Sequence, residues 1–119
     1  MDKSTVAVVK YEKPLSSVRR AVALAGGLAP LSADARVFIK PNIVFWTRAV
    51  NFPKYGVITT SRVVEDMVAV LKEHGVRDIS IGDGTVLRDP KDMQTQRHAF
   101  ESLGYGKMEK RYGVKPVNI

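Results

Sequence analysis

The chain has 119 residues, 45% of them hydrophobic and 26% charged, which suits one soluble globular domain. It has no cysteine, which excludes a disulfide framework, a thiolate nucleophile and any cysteine-held zinc or iron–sulfur site, and its two histidines are too few for a histidine-rich metal centre. The net charge of +7 is concentrated early: residues 1–60 carry nine Lys/Arg against three Asp/Glu, and residues 61–119 carry ten against nine.

No apolar run approaches the ~20 residues of a membrane span. Met1-Asp2-Lys3-Ser4 does not open a secretory signal, so a cytoplasmic location is expected. Thr5 to Lys10 is β-branched and apolar and predicts a buried strand. Leu15, Val18, Ala21, Val22 and Ala25 recur at helical spacing, with Pro14 at the start and Gly26-Gly27 as the stop. After a linker over 28–35, Arg36 to Lys40 predicts a second strand, ended by Pro41. The segment 41–58 has no clear period. It holds Phe45, Trp46, Phe52 and Tyr55 beside Arg48 and Lys54, and reads equally as a lid or as a loop that tucks its aromatics onto the core.

The next helix has Thr60 or Ser61 as its N-cap and Val63, Val64, Met67, Val68 and Leu71 as its apolar face. Glu65 and Asp66 complement its positive end and Lys72 its negative end, and Gly75 stops it. Asp78 to Ile81 is a third strand. Asp89-Pro90 predicts an N-cap followed by Pro at the first helical position, with Met93, Phe100 and Leu103 facing inward and Gly104 as the stop. A short basic helical turn is expected over 107–111 and a fourth strand over 114–119. This alternation predicts a three-layer α/β/α domain over 1–119, with a mostly parallel sheet of about four strands and helices on both faces. The last strand has barely begun where the sequence stops, so the domain reads as the N-terminal part of a longer architecture or as one that ends on an edge strand. A terminal strand of that kind also invites pairing with a second copy.

In an open α/β sheet, ligands bind beyond the carboxyl ends of the strands, and three polar clusters fall there. Lys40 offers a cation and Asn42 a donor–acceptor pair just past the second strand. Thr59, Thr60 and Ser61 place hydroxyls and unpaired backbone N–H groups at a helix start, which suits an anion as well as simple capping. Gly82, Asp83 and Gly84 follow the third strand. There the glycines permit close backbone approach, and Asp83 is suited to binding a metal such as magnesium, to orienting Lys40, to general-base work, or to closing an Asx-turn. Lys40 and Asp83 are thus the catalytic candidates. The ligand-binding candidates are Lys40, Asn42, Thr59, Thr60, Gly82, Asp83 and Gly84, with Arg88 and Asp89 just beyond. Gly-Asp-Gly is not a dinucleotide fingerprint, and no P-loop is present. His98, beside an apolar helix face, reads as structural or exposed.

These same residues resemble the DUF362 family, a group of unknown function. The likeness lies in Val37-Phe38-Ile39-Lys40-Pro41-Asn42, in Thr59-Thr60 with the Val63-Val64 helix, in Ile81-Gly82-Asp83, and in Ala99 to Tyr105 followed by Tyr112-Gly113-Val114. It spans roughly residues 5–119. The family's helix often begins with Pro after the Thr pair, where this chain has Ser61-Arg62. Members are typically longer and many carry a ferredoxin-like iron–sulfur segment, so the resemblance implies a redox setting and a C-terminal or ferredoxin-like domain as partner. It supplies no catalytic residues.

Three functions compete. The first is a half-site for a small anionic ligand, a carboxylate or a phosphate, in a redox enzyme. The second is an interaction module that docks an acidic or iron–sulfur partner. The third is nonspecific nucleic-acid binding through the basic half, ranked last for want of a recognised motif. No cofactor is specified.

Overall fold

The computed structural model describes residues 3–43, 45–47, 58–84 and 89–119. Strand β1 (Arg36–Ile39), β2 (Asp78–Ile81) and β3 (Lys115–Pro116) form a parallel sheet in the order β1-β2-β3. Arg36 lies opposite Asp78 and Ile39 opposite Ile81, while Ser80 lies opposite Lys115. The chain stays extended past β3, and the Val117 N–H donates to the Ile81 carbonyl. Helix α1 (Ser16–Leu24) precedes β1, α2 (Ser61–His74) links β1 to β2, and α3 (Met93–Ser102) with α4 (Tyr105–Tyr112) links β2 to β3.

The strand period of two decides the packing. Val37, Ile39, Ile79 and Ile81 point to one side, where they join Val64, Val68 and Leu71 of α2, Ala99 of α3, Leu103, and Tyr105 and Met108 of α4 in one core. Helix α1 packs on α2 and buries none of its residues fully. Arg36, Phe38, Asp78, Ser80 and Lys115 point the other way and line a shallow groove. The expectation of helices on both faces is therefore corrected: among the described residues there are three strands, and the helices lie on one face. The reason is topological. Right-handed crossovers between strands laid down in one direction deliver each helix to the same side. A second helical layer requires the strand order to reverse, and β1-β2-β3 does not reverse.

The strand expected over Thr5–Lys10 is absent. Its residues pair with no strand among the described residues, and Val6 and Val8 are 82% and 94% exposed rather than buried. Ala7 and Val9 are half-buried, so the alternation survives without the ladder. β-branched composition fits a pleated surface but does not supply a partner strand. This segment is tied down by Tyr11 instead. Its hydroxyl donates to Asp66 at 2.6 Å, and its ring lies under the Arg62 guanidinium at 4.5 Å. Glu65 is also used for packing, accepting from Arg111 and Tyr112 and so fastening α4 to α2. Neither carboxylate stands in the first turn of α2, so the expected role in complementing the helix dipole is not theirs.

Helix α2 starts after Thr60 and stops at Gly75, which takes φ 101°, both as the sequence indicates. The start of α3 does not follow expectation. Its N-cap is Asp92, which accepts from the Gln94 and Thr95 N–H groups, while Asp89 closes a local turn onto Lys91 N–H. A cap needs an acceptor aimed at the N2 and N3 amides, and Asp92 holds that aim through a further bond from the Thr95 hydroxyl. The shift turns Met93 outward, leaving Thr95, Gln96 and Ala99 as the buried positions of α3. Helix α4 is longer than the turn expected at 107–111, and β3 is shorter than the strand expected at 114–119. Phe45 and Trp46 of the aperiodic segment are described. Trp46 is buried and Phe45 is half exposed. Arg48, Phe52, Lys54 and Tyr55 lie outside the described residues, so the choice between lid and tucked loop does too.

Two glycines separate close approach from mere composition. A Cβ on Gly82 would fall on the Val117 carbonyl, whereas one on Gly106, in the first turn of α4, would meet nothing within 4 Å. Gly82→Ala is expected to lower stability by about 1–3 kcal/mol through overpacking. Gly106→Ala is expected to raise it by up to about 0.8 kcal/mol through helix propensity. Urea unfolding of the two variants beside wild type checks both signs.

Candidate functional site

The carboxyl ends of β1 and β2 lie side by side, and Asp83 is the residue on which they converge. Its side chain is 7% exposed. One oxygen accepts from the Ile43 backbone N–H at 2.8 Å and the other meets the Lys40 ammonium at 2.8 Å. Its main-chain carbonyl accepts from the Gln96 side-chain amide of α3. A buried carboxylate is costly unless it is paired and hydrogen-bonded, and these contacts supply what it needs. Lys40 differs in setting. Its side chain is 60% exposed, so its head is fixed at one end by Asp83 and faces solvent with its remaining donors.

Pro41 ends β1 and is buried, which turns the chain so that Asn42 runs beside Thr59. The pairing there is mutual. The Asn42 N–H donates to the Thr59 hydroxyl oxygen at 2.9 Å, and the Thr59 N–H donates to the Asn42 carbonyl at 2.9 Å. Thr59 keeps its hydroxyl proton for another acceptor. Thr60 is the N-cap of α2, with extended backbone and no side-chain cap bond. The Val63 and Val64 N–H groups reach the Thr60 carbonyl. The Ser61 and Arg62 amides have no acceptor among the described residues, as expected of the first turn of a helix.

Of the sequence candidates, then, Lys40 and Asp83 are in direct contact, and the Asn42 main chain pairs with the Thr59 N–H and hydroxyl. Gly82 is buried, and its N–H donates to the Ile39 carbonyl. Gly84 is exposed, and its backbone runs close to the Ile119 carbonyl. Asp89 is exposed and engaged in its own turn, and Arg88 lies outside the described residues. Among the described residues no three Asp, Glu, His or Cys side chains come together to hold a metal ion. His98 accepts the Trp46 indole N–H on Nδ1 at 2.9 Å, so it anchors the segment after β1 to α3.

Sequence reasoning missed Gln96 and Tyr105. The signal for Gln96 was present, since it stands three residues before Ala99 and four before Phe100, on the inward stripe of α3 where an amide needs a partner. Tyr105 is fully buried with its ring 5.1 Å from that of Phe100, and its hydroxyl has no hydrogen-bond partner among the described residues. Burial, and then the negative charge of Asp83, push this phenol well above its ordinary range.

These features define a one-sided parallel α/β domain with a buried-carboxylate site at the carboxyl edge of its sheet. The family described as "Domain of unknown function (DUF362)" matches residues 37–119, and the chain belongs to it. No curated protein and no solved structure matches the chain.

Two measurements follow from this geometry. Lys40→Met is expected to cost about 1 kcal/mol in the native protein and close to nothing when Asp83→Asn is already present. Coupling of that size marks residues in contact, and a double-mutant cycle in urea reads it. Tyr105→Phe removes an unpaired buried hydroxyl and is expected to raise stability by about 1 kcal/mol at neutral pH. Because the folded phenol holds its proton more tightly than the unfolded one, ionisation of Tyr105 leaves stability unchanged below about pH 10 and lowers it as pH rises further. The alkaline fall in stability is therefore expected to be shallower in Tyr105→Phe, with Tyr11 and Tyr112, also shifted upward, sustaining the remainder.

Proposed function

We propose that the carboxyl edge binds a small anion, a carboxylate or a phosphate, between Lys40 and the start of α2. The observation that carries this reading is the Lys40–Asp83 ion pair. A lysine at a strand end is ordinarily a mobile solvated charge with much rotamer entropy to lose on binding. Here a buried carboxylate fixes its head before any ligand arrives, which is preorganisation. Asn42 and Thr59 hold the adjoining backbone two residues further on. The Thr59 hydroxyl proton, together with the Ser61 and Arg62 amides, offers donors of the kind that favour negative charge at a helix start. In this reading Asp83 is a positioning residue that acts through Lys40, and Gly82 and Gly84 let the backbone come close. The redox setting implied by the family belongs to the same proposal, with electron carriers held on another domain or protein.

The test uses the full chain with inorganic phosphate or acetate, ionic strength being matched with sodium chloride. Ligand at about 100 times its Kd adds about 2.7 kcal/mol of stability, so the thermal midpoint is expected to rise with one anion or both. Lys40→Gln and Asp83→Asn are each expected to weaken that rise by about tenfold in apparent affinity. An unchanged midpoint with both anions, or equal binding by Lys40→Gln, overturns the proposal.

A further inference from the structure

Among the described residues one face of the sheet is uncovered, which is out of keeping with its parallel strands. Sheets of this kind occur almost only with both faces covered, and here one face leaves Phe38 47% exposed and Val117 38% exposed. The groove on that face measures about 510 Å³ and is lined by Arg36, Val37, Phe38, Asp78, Ser80 and Lys115. Its cross-section is set by strand position. Ser80 is the small side chain on the central strand, flanked across the register by Phe38 on β1 and Lys115 on β3. The result is a trough along β2 with an aromatic wall on one side and an aliphatic stem, tipped by a cation, on the other.

The size fits one helix. Three strands about 4.8 Å apart give a face about 10 Å wide between the outer strand axes, close to the diameter of a helix with its side chains. Strands β1 and β2 have four residues each, or about 13 Å, which about nine helical residues span. The charge also has a sign. Lys115 pairs with Asp78 at 3.1 Å, but Arg36 meets no carboxylate among the described residues. The face thus carries an uncompensated cation at the amino end of β1, on a chain whose net charge is +7. That excess opposes self-association through this face and favours an acidic partner.

We infer that this face docks one amphipathic helix of another protein, with the helix's apolar ridge in the trough over Ser80 and the aliphatic stem of Lys115, and a flanking carboxylate on Arg36. The inference does not depend on the anion site, which lies at the carboxyl ends of the strands rather than on their open face.

The test is an amide-resolved NMR titration of the full chain with two synthetic helical peptides of about 14 residues, nearly four turns. They share one leucine stripe and differ only in flanks of Glu or of Lys. The Glu peptide is expected to move the signals of residues 36–38, 78–80 and 115, and to weaken as salt rises. Phe38→Asp and Arg36→Glu are each expected to reduce its affinity by about tenfold, about 1.4 kcal/mol, while keeping the dispersed spectrum of a folded chain. Equal affinity for the two peptides, binding of neither, shifts confined to other surfaces, or undiminished affinity in Phe38→Asp overturns the inference. So does a concentration-dependent dimer, seen by light scattering, that perturbs these same signals in the absence of peptide.

Discussion

The rest of the carboxyl edge depends on the burial of a single charge. Asp83 sits among apolar residues where an unpaired carboxylate would cost several kcal/mol, and its neighbours are arranged to prevent that. One donor is the main chain of Ile43, which fixes the path of the segment leaving β1. Another is the ammonium of Lys40, drawn in from the solvent side. The residue's own carbonyl is held by Gln96, which sets α3 against the tip of β2. Two strands and one helix are thereby referenced to the same residue. Thr59 and the start of α2 are placed through Asn42, one residue from Ile43, so they inherit the same reference.

The topology has a comparable economy. Strands added in one direction give a sheet whose helices share a face, and a single core then suffices for α2, α3 and α4. α1 contributes by packing on α2 rather than on the sheet. Polar pairs add to the apolar contacts among the helices: Arg19 with Glu73 joins α1 to α2, and Glu65 with Arg111 and Tyr112 joins α2 to α4. Such exposed pairs orient the helices more than they stabilise them.

What the sequence discloses follows from which signals are local. The apolar period of α2, its glycine stop and the apolar runs of β1 and β2 are written in adjacent residues, and the elements stand where those residues put them. The meeting of Lys40 with Asp83 was legible at one remove, because the strand-tip rule places both on one edge before any distance is known. What was not legible depends on partners distant in the chain. Thr5 to Lys10 has the composition of a strand but pairs with none among the described residues. Asp89 and Asp92 are both plausible caps, and only the geometry at Thr95 separates them. The number of layers turns on strand order, which no local pattern encodes. Gln96 was visible only as a polar residue in an apolar stripe, an inconsistency that becomes informative once the carbonyl it serves is known.

The all-parallel register also governs how this chain must fold. A hairpin brings its strands together across a short turn, but here no two paired strands are neighbours in sequence without a helix between them. Ile43 and Asp83, whose contact closes the edge, are 40 residues apart. The entropy of closing a loop of that length is lost before the sheet returns any of it, so strand pairing cannot nucleate on its own. Helix α2 has its own apolar period and glycine stop, and it is the expected seed on which β1 and β2 dock. The Asp83 cluster, whose contacts join residues far apart in sequence, is then expected to form after that helix. The residues proposed to meet the ligand are thus expected to assemble late in folding, because the contact that closes their edge spans 40 residues.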